Sequence, residues 1–287
     1  MKTALSLLAE TFRQWNAHRV PRMGAALSFY TVFSLAPLVI FILWLVSLVV
    51  ERNMARAEIV EQFREYVGPQ GAETVETILT RTAAAGTGFW EAMIGFVVLL
   101  VGASGVFGEL QDSLNQIWDV SSKRHPLFVI IKEHVLSFAM LFVMGFLMLV
   151  SFLFSAIVAA TGDFLHGRFP RLDGPWEWVN SLVSLLLVAM LFAVIFRVVP
   201  DTRITWKDVW MGALMAAVLF VLGKHVLGTY FGRSAIASSY GAAGSLIILL
   251  VWVFYSAQIM LFGAEFTRVY ALRHGSHRRD ASRVNDD

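Results

Sequence analysis

Five polar residues lie within or at the ends of long apolar segments, where a charged or amide side chain could bind a solute or form part of its path. A charged side chain inside an apolar phase is costly, so one that occurs there is a candidate for function. We therefore predict five substrate-path residues: Arg22, Glu109, Lys224, Gln258 and Glu265.

The axial rise of an α-helix, about 1.5 Å per residue, places these residues at different depths. Lys224 is 17 residues beyond Lys207, so it lies about 25 Å from that end of its segment, near the outer boundary. There its ammonium group can extend to lipid headgroups, or it can contact an anionic substrate. Gln258 lies just past the middle of the last segment, where its amide either bonds a neighbouring helix or faces a cavity.

Glu265 and Glu109 lie about 33 Å and about 28 Å from the outer ends of their segments, at the inner boundary. Arg22, Arg197 and Arg268 belong at the same level. The sequence therefore predicts a cluster of Glu109, Glu265 and arginines that Lys224 cannot join. It would serve either as ion pairs between helices or as a polar gate at the inner mouth.

The elements that position these residues are apolar runs, since the chain is 57% hydrophobic and only 15% charged, against about 25% charged in an average soluble domain. A run of about 20 apolar residues can cross a bilayer as a helix. We predict an all-α polytopic membrane protein with six transmembrane helices in one domain, residues 1–272, followed by a basic and polar tail, 273–287, that is disordered. The spans are 24–50, 90–108, 134–161, 178–196, 208–230 and 241–265.

Proline and glycine indicate special backbone positions in these spans. Pro37 removes a backbone donor in the first span and predicts a kink. Small residues allow helices to approach closely, and two sets stand out: Gly102, Gly105 and Gly108 in the second span, and Gly241 and Gly244 at the start of the sixth. A further set of small residues, around Gly212, predicts tight packing of the fifth span or the lining of a path.

Three segments outside the spans have their own patterns. Residues 1–22 carry Leu5, Leu8, Phe12 and Trp15 at helical spacing, which predicts an amphipathic helix at the cytoplasmic interface. Residues 51–89 predict a periplasmic hairpin of two amphipathic helices on the membrane surface, broken at 68–71. The second span is expected to continue as a helix to near residue 121. Asp201 and Thr202 could cap the start of the fifth span.

The distribution of lysine and arginine predicts the orientation. Of the 23 such residues, 15 lie in the two terminal segments and the loops 107–132 and 197–207, and seven lie in the segments on the opposite side. Positive charge stays in the cytoplasm. We therefore predict that both termini are cytoplasmic.

Several classes of activity lack a sequence signal. The chain has no cysteine, and its seven histidines show no metal-ligand spacing. No glycine-rich phosphate loop, nucleophile elbow or pair of catalytic carboxylates is recognisable. We predict that the protein is not an enzyme, uses no metal or other cofactor and binds no nucleic acid. Membrane lipids are the expected partners.

Four ordered motifs resemble the YihY/BrkB family of bacterial inner-membrane proteins across roughly residues 20–270. They are RMGAALSFYTVFSLAPL at 22–38, GELQDSLNQIW at 108–118, PDTRITWKDVWMGAL at 200–214 and YGAAGSLIILLVWVFYSAQIMLFGAEFTR at 240–268. The resemblance implies a six-helix membrane protein. Members of this family have carried the labels ribonuclease BN and virulence factor BrkB, and some have been linked to the biogenesis of envelope lipid or lipopolysaccharide.

Three functions follow as hypotheses. The first is a transporter without an ATPase, or a lipid-handling protein, that acts in envelope biogenesis on an amphipathic or anionic substrate. The second is a membrane scaffold that recruits envelope-biogenesis partners through the hairpin at 51–89. A ribonuclease is the least favoured, because it depends on the family label alone.

Overall fold

The structure, a computed structural model, describes residues 2–46, 51–67, 69–84, 89–120, 173–233 and 242–275. Within these ranges the chain is all-α, with no strand. The predicted third span at 134–161, Gly241 and the tail from residue 276 lie outside the described residues. The helices are α1 (Lys2–Ala17), α2 (Val20–Val46), α3 (Arg52–Val67), α4 (Pro69–Ala84), α5 (Phe89–Ile117), α6 (Asp173–Val198), α7 (Trp206–Arg233) and α8 (Ala242–Arg273).

Helix α8 is the central element of the described bundle. It packs against α7 and α2 along much of its length, and it also contacts α1, α4 and α5. Helix α5 packs against α2, and α6 packs against α7. The largest core cluster joins α2, α5, α6, α7 and α8.

Two of the described helices are long and apolar enough to cross a membrane, at Trp206–Leu227 and Leu246–Arg273, and Ser184–Val198 is a shorter apolar helix. Only 33% of each long segment is buried within the protein, whereas a core helix of a soluble protein would be mostly buried. Large apolar side chains such as Leu182, Leu222 and Val226 are exposed. An apolar surface of this extent suits a hydrocarbon environment. The count of six spans stays a prediction.

The N-terminal helix is confirmed as an amphipathic element. Its residue Leu7 is buried against Phe266 and Val269 of α8, while Leu5 and Phe12 are 64% and 61% exposed. One side of α1 therefore packs on the last turns of α8, and the other side presents apolar side chains outward, as an interfacial helix would.

The hairpin at 51–89 consists of α3 and α4. Two details of its prediction were wrong, namely the extent of the break and the surface that the apolar stripes contact. Helix α4 begins at Pro69, because proline suits the first turn of a helix, so residues 70 and 71 are helical and not part of a break. The apolar stripes, including Ile59 and Val75, are buried against Val39 of α2 and Leu249 of α8. The stripes therefore contact the bundle and not the membrane surface.

Small residues mark the closest helix contacts. A Cβ atom added to Gly102 or Gly105 would come within 3.0 Å or 2.9 Å of Ser34 or Tyr30 of α2. At Gly108 an added Cβ would meet no heavy atom of the described chain within 4 Å. A three-residue step turns by about 300°, so Gly108 lies roughly 120° from the face of Gly102, and the three glycines do not form one strip.

The remaining predictions about special residues have mixed outcomes. Gly244 is buried within α8, and Pro37 lies inside α2, which continues as one helix to Val46. The kink at Pro37 stays a prediction. The cap predicted at Asp201 and Thr202 is wrong, because α7 begins at Trp206, where the Thr205 hydroxyl donates to the Asp208 carboxylate at 2.8 Å.

Asp201 instead connects its loop to the end of α5. Its carboxylate accepts hydrogen bonds from the side-chain amides of Gln111 and Asn115, each at 3.0 Å. Its own backbone N–H donates to Oδ1 of Asn115 at 2.8 Å. This pairing holds the loop after α6 against the extended end of α5.

Candidate functional site: a buried ionic cluster beside α8

The most buried charged group in the described chain is Glu265 of α8, whose side chain is 0% exposed. Its partner is His18, in the short turn between α1 and α2, where the next residue, Arg19, has a left-handed φ of 55°. Nδ1 of His18 lies 2.6 Å from Oε1 of Glu265. The turn thus directs an imidazole onto a carboxylate within the helix bundle.

Two further residues complete this arrangement, Arg268 of α8 and Asp119 just after the end of α5. Arg268, one turn after Glu265, donates a hydrogen bond to Oδ2 of Asp119. Oδ1 of Asp119 lies 3.7 Å from Nε2 of His18. We call these four residues, His18, Asp119, Glu265 and Arg268, the ionic cluster. It connects the α1–α2 turn, the end of α5 and α8.

The hydrogen bond to Glu265 raises the pKa of His18 above its ordinary value, although burial of the ring opposes this effect. The Glu265 charge adds to the upward shift, while the Arg268 charge opposes it. The cluster therefore favours a protonated imidazole between two carboxylates. In this form His18 is a donor on both ring nitrogens.

The structure brings together only part of the predicted inner cluster. Glu265 and Arg268 belong to it, but neither Glu109 nor Arg22 forms an ion pair with another described residue. Arg22 is exposed, and Glu109 is partly buried on α5. The acidic residue that contacts Arg268 is Asp119, in the turn just after α5 and ten residues beyond Glu109.

The sequence held a signal for Asp119. The depth of Glu109 follows from its distance of 19 residues from Trp90, near the start of α5, but α5 has 29 residues and continues beyond Glu109. The extension of this helix towards residue 121 was itself predicted, and it places Asp119 at the far end. His18 had no comparable signal, because its position depends on a turn between two helices.

Gln258 lies on the same face of α8 as Glu265, seven residues earlier and about 10 Å away along the axis. Its Nε2 atom lies 3.4 Å from the backbone oxygen of Val20, a weak hydrogen bond to α2. Gly24 of α2 faces the same amide, and an added Cβ there would overlap it. The amide thus bonds a neighbouring helix, which was one of the two alternatives that the sequence left open.

These contacts define a polar seam between α2 and α8, formed by His18, Val20, Gly24, Gln258 and Glu265. Two of its buried acceptor atoms, Oε1 of Gln258 and Oε2 of Glu265, have no hydrogen-bond partner among the described residues. Buried polar atoms are almost always hydrogen-bonded. Both acceptors can therefore accept a hydrogen bond from a donor outside the described residues.

Lys224 is not among the residues that form the seam, and its separation from the inner cluster stays a prediction. It is partly buried on α7, next to Gly223, which packs against Tyr255 of α8. Its neighbour His225 bonds the backbone oxygen of Val221 through Nδ1 at 2.8 Å. Within the described ranges, no group of three or more metal-ligating side chains is arranged to hold a metal ion.

Comparison with known proteins gives one family over nearly all of the described bundle. The model of the family described as Virulence factor BrkB matches residues 11–287. A UPF0761 membrane protein of Verminephrobacter eiseniae is 31% identical over 286 residues, which cover 93% of this chain and 61% of the relative. A UPF0761 membrane protein of Alcanivorax borkumensis is 29% identical over 277 residues, which cover 95% and 62%.

A relative of similar length carries a different name. The ribonuclease-like protein YfkH of Bacillus subtilis is 24% identical over 271 residues, which cover 94% of this chain and 96% of the relative. By contrast, this chain spans only about six-tenths of the length of the other two relatives. No solved structure matches the chain.

Proposed function

The chain belongs to the BrkB family of membrane proteins, and from this premise we propose that it is a transporter or lipid-handling protein of the bacterial inner membrane. It moves an amphipathic or anionic substrate in envelope biogenesis and does not itself hydrolyse ATP. The proposal includes six spans with both termini in the cytoplasm. The ionic cluster then lies at the inner mouth of the bundle and Lys224 near the outer mouth.

The polar seam is the observation that carries the transport proposal. It contains two buried acceptor atoms without a partner in the described chain, one above the other on α8. A purely structural ion pair does not require either acceptor atom. Each acceptor without a partner costs the free energy of desolvating a polar group. A path for a polar group or a coupling proton along α8 would use both.

The topology can be tested first. We expect a reporter that fluoresces only in the cytoplasm to be active when fused after Asp287, and inactive when inserted in the hairpin between Val67 and Pro69. The physical reason is the excess of lysine and arginine on the side of the termini. Fluorescence of both fusions, or of the hairpin fusion alone, would contradict the proposed orientation.

Transport can be tested in liposomes with two probes, a fluorescent phosphatidylglycerol whose inner-leaflet pool is protected from dithionite, and entrapped glutamate as a soluble anion. We expect the reconstituted protein to move one of them faster than protein-free liposomes. Replacing Gln258 with leucine removes an acceptor of the seam, and we expect the transport rate to fall about tenfold, which corresponds to the free energy of roughly one hydrogen bond.

The matched control for the seam is Glu61→Gln, which removes an exposed carboxylate of the hairpin that pairs with Arg64 at 3.5 Å. This variant is expected to retain the rate of the wild type. If neither probe moves above the background, transport is contradicted. The scaffold hypothesis would then be preferred, and it would depend on the charged outer face of the hairpin, since the apolar stripes are buried in the bundle.

A further inference from the structure

An open cleft with a volume of 1070 Å³ lies where the loop after α6 and the first turn of α7 meet the last turn of α8. It is separate from the ionic cluster, because none of the four cluster residues lines it. Its walls combine cationic and aromatic side chains. They include Arg197, Arg203, Lys207 and Trp206.

The cleft has an excess of positive charge. Arg197, Arg203 and Lys207 line it, and Asp208 is the one carboxylate among its lining residues. The Asp208 side chain is buried and accepts a hydrogen bond from Thr205. Arg203 and Lys207 are exposed, and neither forms an ion pair with another described residue.

Arg197, which lines the cleft, is held in place by two contacts. Its Nη1 atom donates to the backbone oxygen of Ile204 at 2.8 Å, and its guanidinium carbon lies 4.6 Å from the centre of the Trp206 ring. A guanidinium group has five N–H donors in a rigid fork that matches the oxygens of a phosphate. An arginine fixed in this way retains donors for a ligand.

The cleft continues into an apolar surface. Trp206 lines the cleft and starts the first long apolar segment, and it is followed at helical spacing by Trp210 and Leu214. These three side chains are 45%, 41% and 42% exposed. A ligand with a charged group in the cleft could therefore lay an apolar chain along the outer face of α7.

We propose that this cleft binds a phosphate group, with Arg203 and Lys207 contacting its oxygens and Arg197 orienting it. This goes beyond the proposed function, because the cleft can hold a phosphate whether or not the protein transports it. The same chemistry is present in a lipid headgroup and in free phosphate. The exposed stripe on α7 favours the lipid as the source.

The test is calorimetric titration of the purified full chain in an uncharged detergent with dioctanoyl phosphatidic acid, dioctanoylglycerol and inorganic phosphate. Phosphatidic acid is expected to bind and dioctanoylglycerol is not. The double variant Arg203→Gln/Lys207→Gln should weaken binding of phosphatidic acid roughly tenfold, since each basic side chain near an anionic lipid surface contributes a few-fold. Both residues are exposed, so the variant is expected to fold.

The matched control is Arg13→Gln/Arg64→Gln, which removes two arginines that are 73% and 54% exposed and lie outside the cleft. It should change the affinity by less than about twofold. Competition by inorganic phosphate would support a site for free phosphate, and its absence would support a headgroup site. The proposal is overturned if phosphatidic acid does not bind, if dioctanoylglycerol binds equally, or if both double variants lose affinity alike.

Discussion

Replacing His18 with alanine is expected to lower the free energy of unfolding by about 3 kcal/mol, the lower end of the range for breaking a buried ion pair. The variant removes the hydrogen bond to Glu265, whose carboxylate is fully buried and has no other partner in the described chain. Arg268 still acts on this carboxylate electrostatically, which keeps the loss from being larger. Unfolding by SDS in mixed micelles would measure it.

The loss of unfolding free energy in His18→Ala is expected to be larger at low pH than at high pH. Because the folded-state pKa of His18 is raised, its added stabilisation is fully present below the unfolded value of about 6.5 and is lost as the pH rises through the folded value. The difference between wild type and His18→Ala should therefore be larger at pH 6 than at pH 9.

Two controls separate this effect from a loss of side-chain volume. His225→Ala removes an exposed histidine that bonds only its own helix backbone in the described structure, and its difference from the wild type should be small at both pH values. The double variant His18→Ala/Glu265→Leu removes the buried charge together with its partner and should be more stable than His18→Ala. Equal stability of the single and double variants would contradict the cluster as described.

Replacing Gly212 with leucine is expected to destabilise the crossing of α7 and α8 by about 3 kcal/mol, the upper part of the usual range for overpacking. A Cβ atom at this position would already overlap the Thr267 hydroxyl and the backbone oxygen of Gly263. Gly263 in turn lies against Ala216, and all of these residues are buried. The helices can accept leucine only by moving apart.

The measurement is again SDS unfolding, with Gly108→Leu as the matched control. An added Cβ at Gly108 meets no heavy atom of the described chain within 4 Å, and leucine favours the helix over glycine by roughly 1 kcal/mol. The control is expected to be neutral or slightly stabilising. A Gly212→Leu protein as stable as the wild type would rule out the close crossing.

The helices themselves could be predicted from local sequence, for a physical reason. In hydrocarbon every backbone group must bond within its own segment, so an apolar run of sufficient length must be a helix. This argument located α2, α7 and α8, and helical periodicity located α1, α3 and α4. The family resemblance needed only ordered motifs, and the family match over residues 11–287 confirms it.

The partners of the polar residues could not be predicted in the same way. His18 and Glu265 are 247 residues apart in sequence, and their contact depends on how the turn after α1 sets the angle of α2 against α8. Depth along a single helix gives Lys224 a level far from that of Glu265, and the separation of Lys224 from the inner cluster stays a prediction. The same measure of depth placed Glu109 by its distance from Trp90 and did not consider Asp119, which follows the end of α5.

Length, apolar content and periodicity act within one segment, so the sequence alone was sufficient for the all-α class, for most helix positions and for the amphipathic character of α1. Which side chains meet is a property of several segments at once. The ionic cluster, the direction of the hairpin stripes and the cleft beside Trp206 were therefore decided only by tertiary packing, which sets the tilt, length and rotation of each helix against α8.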